Sequence, residues 1–110
     1  MHVPEPTSNL PAAEQYRLAA EHWVELDGAA RLLEETKTAV LSQRQKAMGD
    51  MPAAHSEREV KASPEWGDFV RRMVDARTAA NRAKVRMEYS RMLFMEWQST
   101  SATRRAEMRL

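Results

Sequence analysis

The chain has no cysteine, so no disulfide can staple it and no thiol can act as nucleophile or soft metal ligand. Its three glycines, Gly28, Gly49 and Gly67, lie too far apart for a phosphate-cradling loop, and there is no Gly-x-Ser-x-Gly elbow. No apolar run approaches the roughly 18 residues needed to cross a bilayer. The opening Met1-His2-Val3-Pro4-Glu5-Pro6 lacks the charged and apolar blocks of a secretory leader. A location in a reducing cytoplasm, away from the membrane, is expected.

Candidate chemistry is equally sparse. His2, His22 and His55 fall on three different segments, so a three-histidine metal site would need an unusual convergence. His22 with Glu25 has the spacing of half a di-metal bundle site, but the other half is missing. Glu34 and Glu35 are neighbours and point apart, while Glu21 and Glu25 share a helical face and read as solvated charge rather than an acid–base pair. The expectation is a non-enzymatic protein with no cofactor, no metal and no small-molecule substrate.

What is present is helix grammar. With 110 residues the chain fits one domain, and a chain this short buries only about 60 to 65% of the surface it exposes when unfolded. Three prolines among the first 11 residues predict an extended arm over 1–10. Pro11 then suits the first turn of a helix over 11–48, with Asn9 or Leu10 as its cap. Apolar residues recur there at spacings of three and four: Tyr16, Ala19, Trp23, Leu26, Ala30, Leu33, Val40 and Ala47, with Leu41 and Met48 widening the stripe. Lys37 and Arg44 interrupt it, so its far end should be looser or lie near an edge. Gly28 costs about 1 kcal/mol against alanine and suggests a bend or a close helix contact.

Gly49 and Pro52 end this helix and open a connector over 49–63, whose middle, Ser56 to Lys61, has room for one helical turn or two. Ser63-Pro64-Glu65 supplies a serine cap, a proline at the first helical position and an acid at the positive end of the dipole. A second long helix over 64–110 follows. Its stripe is Trp66, Phe69, Met73, Ala76, Ala80, Ala83, Met87, Ser90, Phe94, Trp97 and Ser101, reaching toward Met108.

Two rods joined by a connector predict an all-α antiparallel helical hairpin. Because each helix of a lone hairpin meets one neighbour, a homodimer forming a four-helix bundle is expected to cover Trp23, Trp66, Phe69, Met73, Ala80, Met87, Phe94 and Trp97.

Charge is the most informative feature. The net charge is +1, yet residues 1–64 carry seven basic and ten acidic side chains, and residues 65–110 carry ten basic and six acidic. Arg71, Arg72, Arg77, Arg82, Lys84, Arg86 and Arg91 cluster against only Asp75 and Glu88. They suit phosphate contacts on a nucleic acid, and without a base-reading module such binding would be sequence-independent. Equally, they can flank the seam, solubilise the rod and pair with Glu21, Glu25, Asp27, Glu34 and Glu35. The tail from Ser99 to Leu110 is polar and basic, and either frays or forms a second contact surface.

Three runs, Lys61-Ala62-Ser63-Pro64-Glu65-Trp66, Ala79-Ala80-Asn81-Arg82-Ala83-Lys84-Val85 and Phe94-Met95-Glu96-Trp97-Gln98-Ser99, resemble small helical proteins encoded by bacteriophages among recombination and replication genes. The similarity spans residues 12–110. It implies a phage or prophage setting in the host cytoplasm and an accessory role in DNA recombination or replication. The alternative it implies is an adaptor or inhibitor that occupies a host protein, such as a nuclease or defence complex. It carries over no catalytic or binding residue.

Overall fold

A computed structural model describes residues 10–109, so the expected N-terminal arm, Leu10 apart, lies outside the described residues. The described chain is all-α: α1 spans Ala12–Ala47, α2 Ala53–Lys61 and α3 Pro64–Met108. No strand occurs among the described residues. The long pair α1 and α3 corresponds to the two stripes, while α2 occupies the connector.

The helix ends follow local chemistry. The Pro11 carbonyl accepts from Gln15 N at 3.0 Å, opening α1 on the proline. At its other end Gly49 adopts φ 81°, the left-handed conformation that glycine takes without a Cβ clash, and its N–H donates to the Lys46 carbonyl. At α3 the Ser63 hydroxyl accepts from Trp66 N at 3.2 Å and itself donates to the Val60 carbonyl at 2.6 Å.

Two compact units share these helices, one of residues 26–80 and the other of residues 12–25 with 81–109. In the unit of residues 26–80 the core is Val60 of α2 with Trp66 and Phe69 of α3, packed against Leu33, Val40 and Leu41 of α1 and Val70 of α3. Trp66 and Phe69 stack with centroids 5.5 Å apart and are only 6% and 5% exposed. Burial of one such ring is worth about 1.5 to 3 kcal/mol. Ala30 and Ala80, fully buried and small, let α1 and α3 approach closely here.

Of the two expectations for the far end of α1, a looser end or one near an edge, this core corrects the first. A third helix folds against that end, and Val40 and Leu41, both partly buried, pack on Val60, Trp66 and Phe69. The junction is stitched by Gln45, whose amide donates to the Ala53 carbonyl at 3.3 Å and to Ser56 Oγ at 3.2 Å. Ser56 is buried, and its hydroxyl donates in turn to the Ala53 carbonyl at 3.0 Å. Of the two roles expected for Gly28, a bend or a close helix contact, the contact is not made among the described residues: a Cβ there would meet nothing within 4 Å.

In the unit of residues 12–25 and 81–109, the start of α1 runs antiparallel to the end of α3. Tyr16 meets Phe94 at 6.3 Å between ring centroids, and Lys84 sits 5.9 Å over the Trp23 ring. Ala83 of α3 is buried in this unit. Among the described residues of this unit there are only these two helix segments, and Val24, Val85, Tyr89, Met92 and Trp97 are exposed.

Candidate nucleic-acid interface

The structure separates the seven clustered cations. Arg77 is the one drawn into an ion-pair network with α1: its Nε and Nη2 donate to Glu34 at 2.9 and 2.7 Å, and its Nη1 donates to Asp27 at 2.7 Å. The forked guanidinium matches one carboxylate bidentately and reaches a second, a geometry lysine does not offer. Arg31 adds a bond to the other oxygen of Asp27 at 2.9 Å. The hydrogen bonds from Arg77, followed by the nearby charges, hold the Asp27 and Glu34 carboxyls below their ordinary pKa values and raise that of Arg77. Arg77 is therefore a structural cation rather than part of a free basic face.

The others stay accessible. Arg71 makes only a long 3.7 Å contact to Asp68 and is three-quarters exposed. Arg72 lies 5.9 Å from the centroid of the Phe69 ring, and Lys84 over Trp23 as above; both are exposed. Arg82, Arg86 and Arg91 are exposed and, among the described residues, form no ion pair. On α1, Glu14 and Glu21 are engaged by Arg17 of the same helix, with Glu14 lowered below its ordinary pKa chiefly by that hydrogen bond. Pairing of the cluster with the acidic helix thus reduces to Arg77 with Asp27 and Glu34.

The expected oligomer interface is also divided. Trp66, Phe69 and Ala80 are buried within the chain, and Trp23, Met73, Met87 and Phe94 are half-buried. Trp97 alone of that set is exposed, at 57%. Its ring stacks on Phe94 with centroids 6.2 Å apart and planes 16° from parallel. Beside it Gln98, Ser101, Arg104 and Arg105 line a shallow open depression. A second open groove of mixed lining, with Leu32, Val40, Gln43 and Arg44 of α1 and Phe69 and Arg72 of α3 among its residues, lies in the unit of residues 26–80.

Among the described residues no three histidines or carboxylates gather as metal ligands, and no helix is long and apolar enough to cross a membrane. His22 is half-buried and His55 exposed. No family model, curated protein or solved structure matches the chain. The architecture defines its class, an all-α protein built on a long helix pair with a short third helix.

Proposed function

We propose that this is a non-enzymatic nucleic-acid-binding accessory protein of the host cytoplasm, acting without sequence preference in phage-type DNA recombination or replication. One observation carries the reading: α3 presents Arg82, Arg86 and Arg91 to solvent with no ion pair among the described residues, although acidic side chains abound on α1. Guanidinium groups left unpaired on a rigid helix suit phosphate oxygens, and each phosphate contact steepens the loss of affinity with salt. The setting rests on the phage resemblance of the sequence.

Self-association belongs to the same proposal. Because Trp66, Phe69 and Ala80 are enclosed in the chain's own packing, a homodimer would meet through outward residues such as Val85 and Met92, both well exposed.

Fluorescence anisotropy with labelled DNA at two salt concentrations tests the reading. Salt-sensitive binding is expected, several-fold weaker in Arg82→Glu with Arg86→Glu. No binding at low salt refutes it. The exposed apolar Val24, Val85 and Met92 favour a second reading, an adaptor or inhibitor that docks on a host protein. A protein partner retained after nuclease treatment, with no DNA binding by the purified chain, would select that reading.

A further inference from the structure

On α3, within the unit containing residues 81–109, Arg82, Arg86, Tyr89, Leu93, Trp97 and Arg104 are separated by four, three, four, four and seven residues. At 3.6 residues per turn these steps keep all six side chains on one flank of the helix. All six are exposed, with Tyr89 at 62% and Trp97 at 57%. The flank is distinct from the buried seam through Ala83, Met87 and Phe94, although Trp97 lies where the two meet. Cations therefore stand at both ends of a stripe whose middle holds two aromatic rings and a leucine.

This composition differs from what a solubilising face or a dimer seam requires. A solvated face has no use for two large exposed rings, and a helix–helix seam is weakened by three like charges along it. A positively charged track with aromatic platforms is instead the arrangement that holds a single-stranded nucleic acid, whose bases are free to stack and whose phosphates run alongside. Double-stranded DNA keeps its base faces covered and gains only the phosphate contacts.

The platform at Trp97 is also pre-oriented. Its ring is stacked on Phe94, which in turn meets Tyr16 of α1, so one face of the indole is supported before any ligand arrives. Pre-ordering of this kind reduces the entropy lost on binding. Arg104 and Arg105 lie against the same depression as Trp97 and supply cationic donors next to it. From Arg82 to Arg104 the stripe is about 33 Å long at 1.5 Å per residue. On the flank itself stand three basic side chains, Arg82, Arg86 and Arg104, with Glu96 at its border and no acid between its ends on the same line.

We infer that the Arg82 to Arg104 flank of α3 is a binding track for single-stranded nucleic acid, with bases stacked on Trp97 and Tyr89 and phosphates held by Arg82, Arg86 and Arg104. The inference rests on the nucleic-acid reading and specifies its ligand and its residues.

The test titrates the full-length protein and its variants with a labelled oligothymidylate and a labelled duplex of equal length, about 20 nucleotides, enough to cover several stacked bases. The single strand should bind about tenfold more tightly than the duplex. Trp97→Ala should weaken single-strand binding by about 5- to 150-fold, the range for loss of one stacked base, while leaving its salt dependence and the duplex affinity unchanged. Trp97→Phe should restore most of the loss, and Arg82→Gln with Arg86→Gln should instead flatten the salt dependence by roughly 1.4 in log–log slope. Circular dichroism checks that each variant keeps its helix content.

Equal affinity for single strand and duplex, unchanged in Trp97→Ala, overturns the stacking track but leaves sequence-independent binding standing. Failure of both probes to bind at low salt overturns the nucleic-acid reading and the track with it. A light-scattering mass that halves in Trp97→Ala, with no change in DNA affinity, makes the stripe a contact between copies of this chain and likewise overturns it.

Discussion

Arg77 of α3 and Glu34 of α1, 43 positions apart in the chain, are joined by two hydrogen bonds of 2.9 and 2.7 Å. Asp27 completes the cluster from one helical heptad earlier on α1. A two-turn window of α1 thereby lies opposite Arg77 of α3. Exposed ion pairs contribute little individually, but here the Asp27 carboxylate is mostly enclosed and Arg77 is only 31% exposed. Within the unit of residues 26–80 the cluster ties Asp27 and Glu34 of α1 to Arg77 of α3 and makes folding sensitive to acid.

The acid sensitivity has a definite sign. Asp27 and Glu34 have folded pKa values below their ordinary values of 3.8 and 4.5. Their contribution is therefore complete above those ordinary values and is lost as pH falls through the lower, folded ones. The raised pKa of Arg77 has no effect in the accessible range, since that group is protonated in both states throughout. The melting temperature should fall as pH drops from about 5 toward 3, and the fall should be shallower in Arg77→Gln, which starts lower at neutral pH. Parallel curves for the two proteins would show that the cluster is not the source.

Val60 tests whether α2 is part of the core or merely covers it. It is 2% exposed and touches the Trp66 and Phe69 pair. Removing two methyl groups by Val60→Ala should cost about 2 kcal/mol, the transfer loss plus a partly unfilled cavity. Phe69→Ala should cost about 3 to 5 kcal/mol. Urea unfolding gives both values. A Val60→Ala protein as stable as the parent would mean that α2 is not packed as described.

The long pair was legible because the three-and-four spacing of Tyr16 to Ala47 and of Trp66 to Ser101 is the direct signature of a buried helical stripe. The start of α3 was written in Ser63 and Pro64, whose capping chemistry is local. Docking of α2 was not legible: in Ser56 to Lys61 only Val60 is apolar, and what buries it is brought there by the turn at Gly49. Nor could the spacing tell which arginine would meet α1. Two regular stripes match at several offsets, and only the chosen offset sets Arg77 against Asp27 and Glu34 while leaving Arg82 and Arg86 outside. The Arg82 to Arg104 flank was obscured for a related reason. Trp97 fits the spacing of the buried seam as well as that of the outer stripe, and its exposure alone separates the two.

Ser63 offers a local test at the start of α3. Its hydroxyl accepts from Trp66 N and donates to the Val60 carbonyl, so it joins the last turn of α2 to the first turn of α3. Ser63→Ala should destabilise the protein by about 1 kcal/mol, the usual worth of such a cap, whereas Ser63→Asp should keep the bond from Trp66 N and lose only the donation to Val60. Chemical denaturation of the three proteins should therefore rank serine first, aspartate second and alanine last. Alanine equal to serine would mean the cap is idle.

Gly28 should behave in the opposite direction. It lies within α1, helical on both sides, exposed, with a negative φ and open space where a Cβ would project. Glycine there gives the unfolded chain extra conformational freedom without serving a contact in the folded one. Gly28→Ala should raise stability by about 0.5 to 1 kcal/mol. At Gly49 the same substitution should destabilise, because φ 81° is strained for any residue with a Cβ. The pair of variants separates helix propensity from turn geometry with one thermal melt each. A Gly28→Ala protein less stable than the parent would mean that the glycine serves an approach the folded chain does not show, such as contact with a second molecule on that face of α1.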